Sequence, residues 1–96
     1  MNTWFCLTPN MLNVIASCSA IVYFVDPSRC VVKMNGIKVS IVRDTNEWFA
    51  GSTSQAFYDL LVRCGKSSSR GDVVRLSELQ MFGVLTHIAN RGGEVL

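Results

Sequence analysis

The sequence predicts an α+β domain in which a three-stranded antiparallel meander packs with three helices, in the order αβββαα. Three observations carry this prediction. Residues 30–44, "CVVKMNGIKVSIVRD", alternate apolar and polar side chains on either side of Asn35-Gly36, the dipeptide that suits a tight hairpin turn. Two later stretches set helix-period apolar stripes behind capping residues. The 96 residues, 49% apolar and 17% charged, are enough for a single domain spanning 1–96 that buries a core without metal or disulfide staples.

In chain order, "LTPNMLNVIASC" starts a helix over 9–18: Thr8 caps it, Pro9 takes the first position, and Leu7 and Leu12 sit at hydrophobic-staple spacing. "AIVYFV" is an unbroken apolar run of β-branched and aromatic residues, which predicts a strand over 20–25 buried on both faces. "DPSR" places Asp26 and Pro27 in a turn, so strands over 30–34 and 37–43 complete the meander. A helix over 53–64 follows, with Ser52 and Gln55 in capping-box spacing, a stripe of Ala56, Phe57, Leu60, Leu61 and Cys64, and Gly65 as its stop.

"KSSSRGD" predicts a flexible loop, and its RGD tripeptide is short enough to arise by chance. The last helix, over 77–90, opens on a Ser77/Gln80 capping box. Its expected buried side is Leu79, Phe82, Leu85 or Val84, Ile88 and Ala89, with Gly83 as a packing point or a weak spot and Gly92-Gly93 as the end.

Composition narrows the function classes. A formal charge of +2 is too mild to demand nucleic acid. Cys6, Cys18, Cys30 and Cys64 lie mostly in apolar runs with no signal peptide before them, which predicts reduced cysteines in a cytoplasmic protein. No charged side chain occurs from Met1 to Val25, but Pro9, Asn10, Asn13, Ser17 and Ser19 interrupt that stretch and no positive segment precedes it, so no membrane role is expected.

Catalytic and metal constellations do not emerge. His87 is the one histidine, and although a Cys64–His87 pair would join a nucleophile to a base, both residues fall near the apolar stripes of helices. The cysteines lack the close pairs of a zinc site, the seven carboxylates form no spaced acid–base pair, and phosphate-binding glycine loops are missing. The expectation is therefore no enzyme, no catalytic residues, no metal and no cofactor.

Two features point to binding. In "DTNEWFAG", Trp48 and Phe49 follow an apparently polar loop, where aromatic side chains serve as interface anchors or fold back over the sheet. Arg63, Lys66, Arg70 and Arg75 crowd thirteen residues around the serine loop, a basic group suited to an acidic protein surface or to solvation. A nucleic-acid alternative uses Lys33, Lys38 and Arg43 on the strand side, together with Arg70, against phosphates.

Residues 23–79 also resemble the winged-helix output domains of bacterial transcription regulators, through a strand ending in "FVDP", a second strand to "NG", a third strand, then "AFYDLLVRCG" and "GDVVRLSEL". The resemblance implies major-groove binding by a later recognition helix and a wing. Against that pattern, "THIANRGGEVL" leaves no separate basic recognition helix and "RDTNEWFAG" intrudes between strand and helix, so DNA readout is expected to be lost or altered. The first expectation is a non-enzymatic regulator or inhibitor of the phage or virus type, occluding a partner's acidic surface. The second is a winged-helix DNA-binding regulator, and an exposed strand edge would equally support a homodimer.

Overall fold

Thr8 begins the first helix as its hydroxyl predicts: Oγ1 accepts from the Met11 amide at 3.3 Å, and α1 runs Pro9–Ala16 with Met11 and Ile15 buried. The computed structural model describes residues 6–67 and 72–91. After α1 come β1 (Ile21–Asp26), β2 (Arg29–Met34), β3 (Ile37–Asp44) and β4 (Glu47–Ser52), then α2 (Gln55–Cys64), β5 (Lys66–Ser67), β6 (Val74–Leu76) and α3 (Glu78–Arg91). The molecule is α+β with three helices, but the three-stranded meander and the order αβββαα are corrected. One antiparallel sheet of six strands has the spatial order β1-β2-β3-β4-β6-β5.

The missed fourth strand has a physical cause. "DTNE" lacks glycine and suggests a loop, yet Thr45 adopts a left-handed φ of 54° and makes a two-residue turn between Asp44 and Glu47. Its strain is offset locally: Thr45 Oγ1 donates to the Asp44 carbonyl at 2.7 Å and Arg43 Nε donates to the Thr45 carbonyl at 2.9 Å. The Asn35-Gly36 turn forms with φ values of 48° and 81°. Asn35 Nδ2 also reaches across to the Ile88 and Ala89 carbonyls at 2.9 and 3.1 Å, tying the β2–β3 hairpin to the end of α3.

Strand alternation sends Cys30, Val32, Met34, Ile37, Val39, Ile41, Trp48, Ala50, Val74 and Leu76 inward, where they join Met11, Ile15, Phe57, Leu61, Met81, Val84, Leu85 and Ile88 in one core. All three helices therefore cover the same face of the sheet, and among the described residues no helix lies on the opposite face. Trp48 is the largest fully buried side chain, and its Nε1 donates to the Cys6 carbonyl at 2.5 Å.

Several local expectations shift. The α2 cap is Ser54, whose Oγ accepts from Phe57 N at 3.3 Å, because the strand continues through Ser52. Leu79 is 81% exposed and Met81 takes the inward position, since α3 begins at Glu78 and turns its core stripe to Met81, Val84, Leu85 and Ile88. The Ser77/Gln80 capping box forms in both directions, with Ser77 N donating to Gln80 Oε1 at 2.8 Å and Gln80 N to Ser77 Oγ at 3.2 Å. Leu12 is half exposed, so the staple to buried Leu7 contributes little. Gly92 and Gly93 lie outside the described residues.

Two glycines behave oppositely. A Cβ on Gly65 would stand 2.5 Å from the Arg75 carbonyl, so β6 packs there only against a bare backbone. A Cβ on exposed Gly83, in the middle of α3, would meet nothing within 4 Å, which makes it the weak spot and not a packing point. In urea denaturation, Gly65→Ala is expected to cost about 1–3 kcal/mol through overpacking, whereas Gly83→Ala should add about 0.5–1 kcal/mol through helix propensity. Trp48→Ala should cost about 3–5 kcal/mol in the same assay.

Candidate sheet-face interface

Residues directly opposite one another in neighbouring strands point to the same side, so the register assigns the outer face without ambiguity. Lys33 on β2 is paired with Lys38 on β3, and Lys66 on β5 is paired with Arg75 on β6. The Phe49–Arg75 and Val42–Phe49 pairs connect the two basic groups through the same face, and Arg29 joins it opposite Val42. Lys33, Lys38, Lys66, Arg29 and Arg75 are all exposed.

Like charges directly opposite are unfavourable in a sheet. The only ion pair offsetting them among the described residues is Arg75 with Glu47 at 3.9 Å, both half exposed, which makes it a weak contact. Lys33 Nζ lies 5.8 Å from the Tyr23 ring centroid, a cation–π contact across β1 and β2. Shallow depressions of about 350 Å³ adjoin each basic pair: one includes Ile21, Lys33 and Lys38, the other Glu47, Lys66 and Arg75.

The candidate residues do not all converge here. Trp48 is 1% exposed and its ring carries the Arg43 guanidinium at 4.6 Å from its centroid. Both sit on the inner side as an opposed pair of β3 and β4, which corrects Trp48 as an exposed anchor and Arg43 as a companion of Lys33 and Lys38. Phe49 faces outward but is only 6% exposed, so it is a filled position in the face and not a protruding anchor. Arg63 is exposed in the last turn of α2, on the helical layer, away from the sheet face. Arg70 lies outside the described residues.

What sequence reading missed is β1. The run expected to be buried on both faces is the edge strand, with Ile21 52%, Tyr23 52%, Phe24 49% and Val25 63% exposed. The signal was available in its position: the first strand of a hairpin series has a neighbour on one side unless a later strand returns to it. At its end Asp26 Oδ2 accepts from Arg29 Nε at 2.7 Å and Oδ1 accepts from Ser28 N at 2.9 Å, and these bonds, the arginine's first, hold the Asp26 carboxyl below the usual carboxylate range.

All four cysteines carry free thiols. Cys6 and Cys30 are buried together, and the hydrogen bond between them, then burial, pushes the Cys30 thiol up, while the same hydrogen bond draws the Cys6 thiol down. Among the described residues no group of three metal-ligating side chains forms, and no helix is long and apolar enough to cross a membrane. Compared with protein-family models, curated proteins and solved structures, the chain gives no significant match.

Lys38→Glu converts the Lys33–Lys38 repulsion into an attraction. It should raise stability by roughly 0.2–1 kcal/mol in urea denaturation, and the gain should shrink as salt is added.

Proposed function

We propose that the chain is a non-enzymatic binding module that regulates or inhibits a protein by laying the outer face of its sheet against an acidic surface of that protein, in a cytoplasmic setting. The observation that carries this reading is the pairing of Lys33 with Lys38 and of Lys66 with Arg75 on the face that no helix among the described residues covers. Two opposed like-charged pairs on a single face work against folding, and an anionic partner relieves both at once. The anchors are then Lys33, Lys38, Lys66 and Arg75, with Arg29 and Tyr23 at the β1 side.

A second reading, a DNA-binding regulator of winged-helix type, draws on the same lysines: Lys33 and Lys38 adjoin one another in register, as phosphate contacts require. Fluorescence anisotropy with labelled poly-glutamate and with a mixed-sequence DNA duplex separates the two. Saturable binding of the acidic polypeptide, weakened at least about tenfold by Lys33→Glu with Lys38→Glu, supports the protein-binding reading, since truncating charge complementarity costs affinity of that order. Duplex binding that falls steeply with log salt, with the polypeptide inert, supports the DNA reading instead.

A further inference from the structure

Edge strands in stable proteins are protected by lysine or proline within the strand, by inward charges, or by a covering element. Among the described residues β1, one of the sheet's two edge strands, has none of these over Ile21–Val25. A register shift between Phe24 and Asp26, of the kind that blunts an edge, is confined to the strand's end and leaves Ile21–Phe24 in regular pairing. Four apolar or aromatic exposures within five residues, Ile21, Tyr23, Phe24 and Val25, with half-buried Val22 among them, make an edge adapted to being paired.

The strand is also self-complementary. Antiparallel pairing about a two-fold axis at Tyr23 sets Tyr23 against its own copy, Val22 against Phe24 and Ile21 against Val25, so each apolar residue meets another. The charges agree. One end of β1 carries Asp26, in its bond with Arg29, and the other end lies beside Lys33, the register partner of Ile21. Two-fold pairing brings Asp26 of each copy, lying between its own Arg29 and the other copy's β1, to the end beside which Lys33 of that other copy stands one strand further in, on the outer face that all three share.

From this juxtaposition we infer that β1 is a homodimerisation edge, at which a second copy of this chain pairs antiparallel through Ile21–Asp26 and continues the sheet across the two-fold axis. The edge shares Tyr23 with the acidic-partner reading, but self-association of the chain alone involves no acidic partner, so the two readings stand or fall separately. A six-residue edge is a small interface, which sets the association in roughly the micromolar to sub-millimolar range.

The test is analytical ultracentrifugation of the full chain over a concentration series, wild type beside Tyr23→Lys and Tyr23→Glu. Because Tyr23 lies on the axis, each substitution places like charges opposite one another, while the side chain's half exposure leaves the fold intact by circular dichroism. The expected result is wild type rising toward twice the 10.6 kDa chain mass, each variant monomeric, and their equimolar mixture restored to the dimer. Wild type that stays monomeric throughout overturns the inference. Variants that still dimerise alone, or a mixture that remains monomeric, overturn the pairing at Tyr23.

Discussion

The indole of Trp48 holds three parts of the molecule at once: it fills the core, its N–H is satisfied by the Cys6 carbonyl forty-two positions earlier, and Arg43 covers its ring. A buried indole without its acceptor would leave a donor stranded in apolar surroundings, so the N-terminal segment and the β3–β4 hairpin are fixed together. Fixing Trp48 inward also fixes everything with which it alternates. Phe49 and Gly51 must face out, and through the ladder so must Val42, Ser40, Lys38 and Lys33. A slip of one residue would invert both faces, which the difference between a dry core and a lysine pair forbids.

That constraint explains how a chain with a net charge of only +2 acquires a concentrated basic surface. The four cations of the two opposed pairs come from β2, β3, β5 and β6, at sequence separations that give no impression of a cluster, and the register gathers them on one side. The inner side buries no charged residue fully, its one cation among these strands being half-buried Arg43 over the Trp48 ring, while Asp26, Asp44 and Glu47 share the outer face with the lysines.

Much of the fold was legible where local chemistry decides it. Thr8, Ser77 with Gln80, and Asn35-Gly36 specify their caps and turn by hydrogen bonds within a few residues, and each forms. The fourth strand was hidden because Thr45 takes a conformation usually left to glycine or asparagine, and the two short strands because Lys66–Ser67 and Val74–Leu76 are too brief to show a period. Lys33, Lys38, Lys66 and Arg75 were visible as basic residues, but their pairing depends on contacts between distant segments. Trp48 and Arg43 looked available because their burial rests on β4 and on Cys6, neither of which the local pattern reveals.

Asn35 has a narrower range of replacements than its turn implies. As far as the left-handed backbone is concerned, asparagine, aspartate and glycine are near equivalents at such a position. Its amide, however, donates to two carbonyls in the last turns of α3, where the helix presents partial negative charge and unpaired acceptors. Glycine would abandon those acceptors, and aspartate would set an anion against them. The position therefore has the sequence tolerance of a helix cap, imposed on a hairpin turn more than fifty residues away along the chain.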